Sequence, residues 1–176
     1  MTAPDPPLRD DTVVLRPMSD ADVPEIVRCC NDPLVPRFIP VIPVPYTRSD
    51  AHEYLERSRT RDDELNLAIS DAGGGLSGAI GFSIKADPGV AEIGYWLAPE
   101  ARGRGLATRA LRLLSAWTLR ETGIARLQLQ TDIDNLASQA VATRAGFTRE
   151  AVLRGYVDSR GTRRDSVMFS MLPGES

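Results

Sequence analysis

The stretch PEARGRGLATRAL, residues 99–111, decides the fold of this chain. Arg102, Gly103, Arg104 and Gly105 are too charged and too flexible for a core, and good helix formers follow them directly. Glycine lets a backbone approach a ligand closely and adopt conformations that are closed to other residues. The turn therefore predicts a backbone that holds something, and its surroundings indicate what that is.

A helix is predicted directly after this turn, over residues 104–121. It has one apolar face, made by residues at steps of three and four: Leu106, Ala110, Leu113, Leu114 and Trp117. The turn joins a predicted strand to this helix. The first turn of a helix presents unpaired backbone N–H groups and the positive end of the helix dipole, which together bind anions. Turn and helix therefore predict an anion site.

Several known motifs compete for this turn. A dinucleotide-binding fingerprint needs a third glycine at position 108, where Thr108 stands, and a P-loop needs a Gly-Lys pair that is absent here. A basic turn that only caps the helix stays open on these residues alone. The pattern that fits is Arg/Gln-x-x-Gly-x-Gly/Ala, met by Arg102, Gly105 and Ala107.

The segment AEIGYWLAPEARGRGLATRAL resembles the acetyl-CoA motif of the GNAT N-acetyltransferases. The chain is similar in particular to the RimJ/RimL branch of that family. VVLRPMSDADVPEIVRCCNDPLVPRF resembles the N-terminal signature of the branch, YTRSDAHEYL its next segment, and DIDNLASQAVATRAGFTREAVLRG its second cofactor segment. The resemblance runs from about residue 12 to residue 172, which is nearly the whole chain.

The order of predicted elements agrees with that family. TVVLRPM and three further β-rich runs, LNLAIS, LSGAIGFSIK and VAEIGYWLA, predict strands, and the last three are joined by turns at residues 71–75 and 87–89. Strands and helices then alternate, at residues 125–131, 136–145, 147–155 and 165–172. We expect an α/β (α+β) GNAT fold, with a mixed central sheet of about seven strands and helices on both faces. The resemblance implies that strands 4 and 5 of that sheet are splayed.

The remaining segments complete a single domain over residues 12–174, behind a flexible leader at residues 1–11. Ser19 is placed to cap a first helix. The five prolines in residues 33–47 predict an extended loop, because proline breaks regular helices and central strands. RSDAHEYLERSRTRDDE predicts a charged second helix with Ala51, Tyr54 and Leu55 facing inward.

Composition narrows the classes of function. A length of 176 residues and a net charge of −3 suit one globular domain and argue against nucleic-acid binding. The two cysteines, Cys29 and Cys30, are adjacent and the chain has one histidine, so no protein-built metal site is expected. No signal peptide or membrane span is predicted. We expect a cytoplasmic protein, a monomer or homodimer without membrane partners.

The resemblance implies acetyl-CoA as cosubstrate and assigns residues to it. The backbone N–H groups of the turn would hold the pyrophosphate, and these belong to Arg102, Gly103, Arg104, Gly105, Leu106, Ala107 and Thr108. The pantetheine arm would enter the gap between strands 4 and 5 and pair with the backbone near Trp96, Leu97 and Ala98. Pantetheine is peptide-like, and a parted sheet offers unpaired N–H and C=O groups.

The same resemblance assigns the catalytic groups. Many relatives carry a tyrosine as general acid four residues before the Gly-Phe of the second segment, where this chain has Ala142. NLAS supplies Ser138 as candidate donor to the coenzyme A sulfur and Asn135 as candidate to orient the arm or a water. Both could equally serve the helix, Asn135 as its cap and Ser138 as a first-turn residue. Glu92 is the candidate base, or alternatively a solvent-facing residue of an alternating strand.

The expected acceptor is a primary amine, on a protein N-terminus or on a small molecule. Glutamate is a weak base for a lysine amine, whereas an α-amine with a pKa near 7.7–8.0 is already partly neutral. Arg154 and Tyr156 could line the acceptor pocket, and His52 is expected at the surface. A protein that binds acyl-CoA without turning it over, such as a sensor, is the alternative class.

Overall fold

A computed structural model describes residues 2–71 and 73–175 of the chain; Ala72, in the turn predicted at residues 71–75, lies outside them. Within these residues the chain forms eight strands and five α-helices. The strands are β1 (Leu8–Arg9), β2 (Val14–Pro17), β3 (Glu64–Ser70), β4 (Leu76–Ile84), β5 (Val90–Leu97), β6 (Arg126–Asp132), β7 (Thr148–Ser159) and β8 (Thr162–Met171). The helices are α1 (Val23–Cys30), α2 (Leu34–Phe38), α3 (Arg48–Thr60), α4 (Leu106–Glu121) and α5 (Leu136–Ala145).

The strands form one mixed sheet in the order β1-β2-β3-β4-β5-β6-β8-β7. Neighbours are antiparallel except β5 and β6, which run parallel. These two strands pair only at Val90 with Arg126, Ala91 with Leu127 and Glu92 with Gln128. Beyond Glu92 they separate, although β5 continues to Leu97. This gap is the predicted splay, because β5 and β6 are the strands numbered 4 and 5 in the sequence analysis.

Helices cover both faces of the sheet, as predicted. Residues Ser77 to Phe82 of β4 are buried without interruption, so both sides of this central strand are covered. Helices α1 and α3 contact each other, and α1 also contacts β4. Helices α4 and α5 form the second packed pair, and α4 lies against β4, β5 and β6. Among the described residues, none of the helices combines the length and the apolar character that crossing a membrane requires.

The eighth strand, β1, lies inside the segment predicted to be a flexible leader. Leu8 pairs with Leu15 of β2. The Asp10 carboxylate accepts the backbone N–H groups of Thr12 and Val13, and Arg109 of α4 reaches Asp10 at 3.0 Å. Short strands carry too little periodicity to be recognised in a sequence, and this one depends on contacts with α4 that are distant along the chain.

Part of the proline-rich segment is helical, so the prediction of an extended loop was wrong for residues 34–38. Pro33 caps α2 and Pro36 occupies its first turn. Backbone N–H groups in a first turn have no intrahelical partner, so a proline there removes no hydrogen bond. The remainder, residues 39–47, is irregular as predicted.

Two predicted boundaries move. Helix α4 begins at Leu106 rather than at 104, because Gly105 is its cap and has a left-handed backbone. Strand β7 runs to Ser159 rather than ending at 155, and it forms a long hairpin with β8. Tyr156, just beyond the predicted end of this strand, therefore lies within it, as Arg154 does.

Candidate active site

The turn before α4 depends on two glycines with positive φ angles. Gly103 has φ +73° and Gly105 has φ +79°, and a Cβ added at either position would meet no atom within 4 Å. Glycine is therefore needed here for backbone conformation and not for lack of space. Arg109 N–H makes the first bond of the helix, to the Gly105 carbonyl at 3.2 Å. The N–H groups of residues 106–108 precede that bond, so the helix itself provides no partner for them.

The two arginines of the turn are held by acidic residues from other parts of the chain. Arg102 contacts the Asp32 carboxylate at 2.6 Å and the Leu97 carbonyl at 3.2 Å. Arg104 contacts Asp71 at 3.1 Å. These contacts fix the turn against the α1–α2 connection and the end of β3. The guanidinium groups therefore hold the turn in place.

A cavity of about 1310 Å³ begins at this turn and follows the gap between β5 and β6. It includes most of the residues predicted to bind the cofactor: Trp96, Leu97, Arg102, Gly103, Gly105, Leu106, Ala107, Thr108, Asn135 and Ser138. Glu92 lies on its wall as well. Arg104 and Ala98 do not, because Arg104 turns to Asp71 and Ala98 is fully buried.

The backbone of β5 faces the gap in a different register from the one predicted. The Ala98 N–H donates to the Ser77 carbonyl at 2.9 Å, on the β4 side. Backbone groups along a strand alternate in direction, so those of Tyr95 and Leu97 face the side from which β6 has departed. Arg102 confirms that direction by reaching the Leu97 carbonyl. The backbone groups on the open side are therefore those of Tyr95 and Leu97, of which the Leu97 carbonyl already accepts Arg102. The sequence missed Tyr95.

Asn135 and Ser138 form the first turn of α5 beside the cavity. The Asn135 side chain caps the helix by accepting the Ser138 backbone N–H at 3.1 Å. The Tyr95 hydroxyl donates to Ser138 Oγ at 3.0 Å, from across the gap. Burial raises the pKa of Tyr95, which the contact with Ser138 partly offsets, so the phenol is neutral at pH 7. From the alternation of side chains along β5, the sequence could have predicted that Tyr95 and Glu92 lie on opposite faces of the strand. It could not have predicted the contact of Tyr95 with α5.

Glu92 lies on the other face of β5, in a polar cluster. Its Oε2 accepts Gln130 Nε2 at 2.9 Å and Gln128 Nε2 at 3.3 Å. Lys85 Nζ, the single lysine nitrogen of the chain, lies 3.1 Å from the same oxygen. The Glu92 side chain is 29% exposed, so it contacts both the cavity and solvent.

The far end of the cavity is formed by α2, the loop after it, α3 and β3. Its wall carries the acidic residues Asp50, Glu53 and Glu64, the last paired with Arg57 at 3.2 Å. The sequence did not single these residues out, because a charged helix ordinarily indicates a solvated face. Helix α3 buries Ala51 and Leu55, and its Tyr54 lines the cavity together with the acidic residues.

Arg154 and Tyr156 do not line the cavity. Val157 and Ser159 of the same strand do, and the Tyr156 side chain is exposed. Successive residues of a strand face opposite sides, so the even-numbered positions of this part of β7 point away. His52 is exposed as expected, with Nδ1 3.8 Å from Asp20.

A protein-family model and several known relatives match the sequence of this chain. The family model described as "Acetyltransferase (GNAT) domain" matches residues 12–148. The chain belongs to the GNAT acetyltransferase family. Among its relatives, YdaF of Bacillus subtilis is 36% identical over 85 residues, which cover 48% of this chain and 46% of YdaF. The ribosomal-protein-serine acetyltransferase of Escherichia coli is 35% identical over 80 residues, 45% of each chain. The chain thus spans less than half the length of these two relatives.

Solved GNAT structures match over nearly the whole chain. The self-immunity acetyltransferase MccE, in complex with acetyl-CoA and AMP, is 25% identical with a TM-score of 0.80, over 93% of both chains. RimL, the ribosomal L7/L12 α-N-protein acetyltransferase in complex with coenzyme A, gives a TM-score of 0.84 at 22% identity, over 95% of this chain and 97% of RimL. The predicted family, its RimJ/RimL-like character and the GNAT fold are confirmed.

Proposed function

We propose that the chain transfers the acetyl group of acetyl-CoA to a primary amine, by direct attack of the amine in a ternary complex. One observation carries this proposal. The N-terminal turn of α4, the open edge of β5 and the first turn of α5 border a single cavity. An anion site, a peptide-like groove and polar side chains are thereby available to one extended ligand.

Acetyl-CoA fits these features in order along its length. The N–H groups at the start of α4 suit the pyrophosphate. The backbone groups of Tyr95 and the N–H group of Leu97, on the open side of β5, suit the amide groups of pantetheine. The thioester then reaches Ser138 and Glu92 on the two sides of the gap. MccE and RimL, which share the fold, are described with acetyl-CoA and coenzyme A respectively.

The proposed chemistry asks little of each residue. The neutral amine attacks the carbonyl carbon, the new carbon–nitrogen bond forms, and the carbon–sulfur bond breaks. Glu92, through a water molecule, takes the proton that the amine loses. Ser138 donates a hydrogen bond to the departing sulfur, and Asn135 orients the arm or the water. A thiol with a pKa near 8.5 leaves readily, so a strong acid is not needed.

A cationic amine is the proposed acceptor class. The acidic residues Asp50, Glu53 and Glu64 border the far end of the cavity, and Glu92 lies toward the thioester. Glu64 is paired with Arg57 and Arg61, so Asp50, Glu53 and Glu92 are the charges that attract an ammonium group into the cavity. A protein N-terminal α-amine is favoured over lysine, because it is partly neutral near pH 7. The names of the Escherichia coli relative and of RimL, which describe acetylation of ribosomal proteins, favour the same acceptor.

Release of free thiol tests the proposal. Purified protein and acetyl-CoA are combined with a panel of N-terminal peptides, polyamines and amino acids, and coenzyme A is detected with a thiol reagent. We expect release that depends on the amine, fastest with α-amines of peptides. Tight acetyl-CoA binding without release of coenzyme A for any amine would contradict acetyl transfer and favour the acyl-CoA sensor. The presence of Ala142 in place of a tyrosine is the feature that favours this alternative.

A further inference from the structure

We propose that Tyr95 is a positioning residue, which aims the Ser138 hydroxyl at the sulfur of coenzyme A; this rests on the acetyl transfer proposed above. A hydrogen bond between the two side chains crosses the gap between the splayed strands. Tyr95 lies three residues beyond Glu92, the last residue of β5 that pairs with β6. Ser138 belongs to the helix that follows β6. The hydroxyl contact of 3.0 Å therefore joins the two sides of the gap.

The hydrogen bonds of Ser138 determine where its own hydrogen points. Its backbone N–H is used by the Asn135 cap, at 3.1 Å. Its Oγ accepts the hydrogen of Tyr95, so one lone pair is occupied. What Ser138 retains for a ligand is its O–H hydrogen, and both residues border the cavity. A serine held in this way is a directed donor, whereas a serine without Tyr95 would rotate among several acceptors.

Tyr95 itself acts as a fixed neutral donor and not as an acid. It is partly buried, and its pKa is raised by that burial, against which Ser138 and the Arg144 charge of α5 act. A phenol with a raised pKa does not surrender its proton to a thiolate. When the carbon–sulfur bond breaks, its electron pair moves to sulfur and Ser138 O–H stabilises it by a hydrogen bond. The proton of the amine leaves through Glu92, and Tyr95 keeps its own.

Steady-state kinetics of Tyr95→Phe, Ser138→Ala and the double variant test this arrangement. We expect Tyr95→Phe to lower kcat about fivefold, the value of one hydrogen bond, and to leave the KM for acetyl-CoA within twofold. The double variant should be no slower than Ser138→Ala, since Tyr95 acts only through Ser138. Tyr156→Phe, which removes an exposed phenol outside the cavity, is the control. An unchanged kcat in Tyr95→Phe, or an equal loss on top of Ser138→Ala, would overturn the proposal.

A second measurement needs no acceptor amine and so separates this proposal from the proposed function. The pKa of the bound coenzyme A thiol is followed by the ultraviolet absorbance of its thiolate, as a difference against the free enzyme. Cys29 and Cys30 do not interfere, because burial raises the pKa of each to about 12. We expect a higher thiol pKa in Tyr95→Phe than in the parent, since the directed donor to the thiolate is lost. Equal values would contradict the role of Tyr95 even if every amine is acetylated.

Discussion

At the scale of single residues, the Glu92 carboxylate is held in place by three neighbouring donors. Gln128, Gln130 and Lys85 all approach its Oε2. These donors fix the position of one carboxylate oxygen, and the other oxygen remains for a water molecule. A carboxylate held in this position suits an amine that is already partly neutral.

Replacement of Glu92 tests that role. We expect Glu92→Gln to lower kcat/KM for a peptide α-amine about a hundredfold, the lower end of what a positioned base contributes. Glu53→Gln, which removes a charge from the far end of the cavity, should instead raise the acceptor KM and leave kcat nearly intact. Initial rates over a range of peptide concentrations separate the two. A Glu92→Gln enzyme with more than half of the parent activity would remove Glu92 from the mechanism.

At the scale of elements, α4 carries the anion site at one end and much of the core along its length. Leu106, Leu111 and Leu114 are fully buried. Ser115, also fully buried, is the buried side chain for which the described residues provide no hydrogen-bond partner. A buried hydroxyl without a partner costs about 1–3 kcal/mol. The helix therefore tolerates a defect one turn from its strongest packing.

Replacement of this serine should stabilise the protein. We expect Ser115→Ala to raise the free energy of unfolding by about 1 kcal/mol, because it removes the unpaired hydroxyl and alanine is the better helix former. Urea unfolding followed by circular dichroism measures the change. Thr118→Ala is the contrasting variant, since Thr118 is as deeply buried but donates to the Leu114 carbonyl at 2.8 Å. A destabilised Ser115→Ala protein would show that the serine is satisfied in solution.

At the scale of the whole molecule, paired carboxylates join segments that are distant in sequence. Asp22 before α1 accepts two hydrogen bonds from Arg16 of β2, at 2.7 and 2.9 Å, and its side chain is 7% exposed. Hydrogen bonding from Arg16 lowers the pKa of Asp22 below its ordinary value of 3.8. On the other side of the sheet, Arg126 and then Ser170 lower the pKa of Glu150 to about 2. These groups stabilise the fold as anions.

The dependence of stability on pH follows from these directions. A carboxyl group with a lowered pKa in the folded state contributes its full stabilisation above its ordinary pKa and loses it as the pH falls toward the folded value. The free energy of unfolding should therefore decrease below about pH 4. Asp22→Asn should be less stable at pH 7 by about 2 kcal/mol and should show a shallower acid limb. Urea titrations between pH 2 and pH 7 measure both, and parallel acid limbs would refute the assignment.

The sequence predicts the fold well where periodicity and motifs are strong. The β5–α4 unit and α5 lie within two residues of their predicted bounds, because glycine signals and apolar spacing are local properties. The sequence-based predictions failed where contacts between distant segments determine the local structure. Residues 8–9 form a strand through partners in β2. Helix α2 can form despite Pro36 because this proline lies in its first turn. The Tyr95–Ser138 contact depends on how far two strands separate, which no local pattern encodes.

The central claim is that the turn at Gly105 holds acetyl-CoA. Calorimetric titration of acetyl-CoA into the parent protein, Gly105→Glu and Gly123→Glu tests it most directly. Both glycines have positive φ, +79° and +74°, and open space around them, so each glutamate should cost a similar ~1–2 kcal/mol of stability. Only Gly105 borders the cavity, where a carboxylate would face the pyrophosphate. We expect binding within twofold of the parent for Gly123→Glu and at least a hundredfold loss for Gly105→Glu. Parent-like binding by folded Gly105→Glu would contradict it.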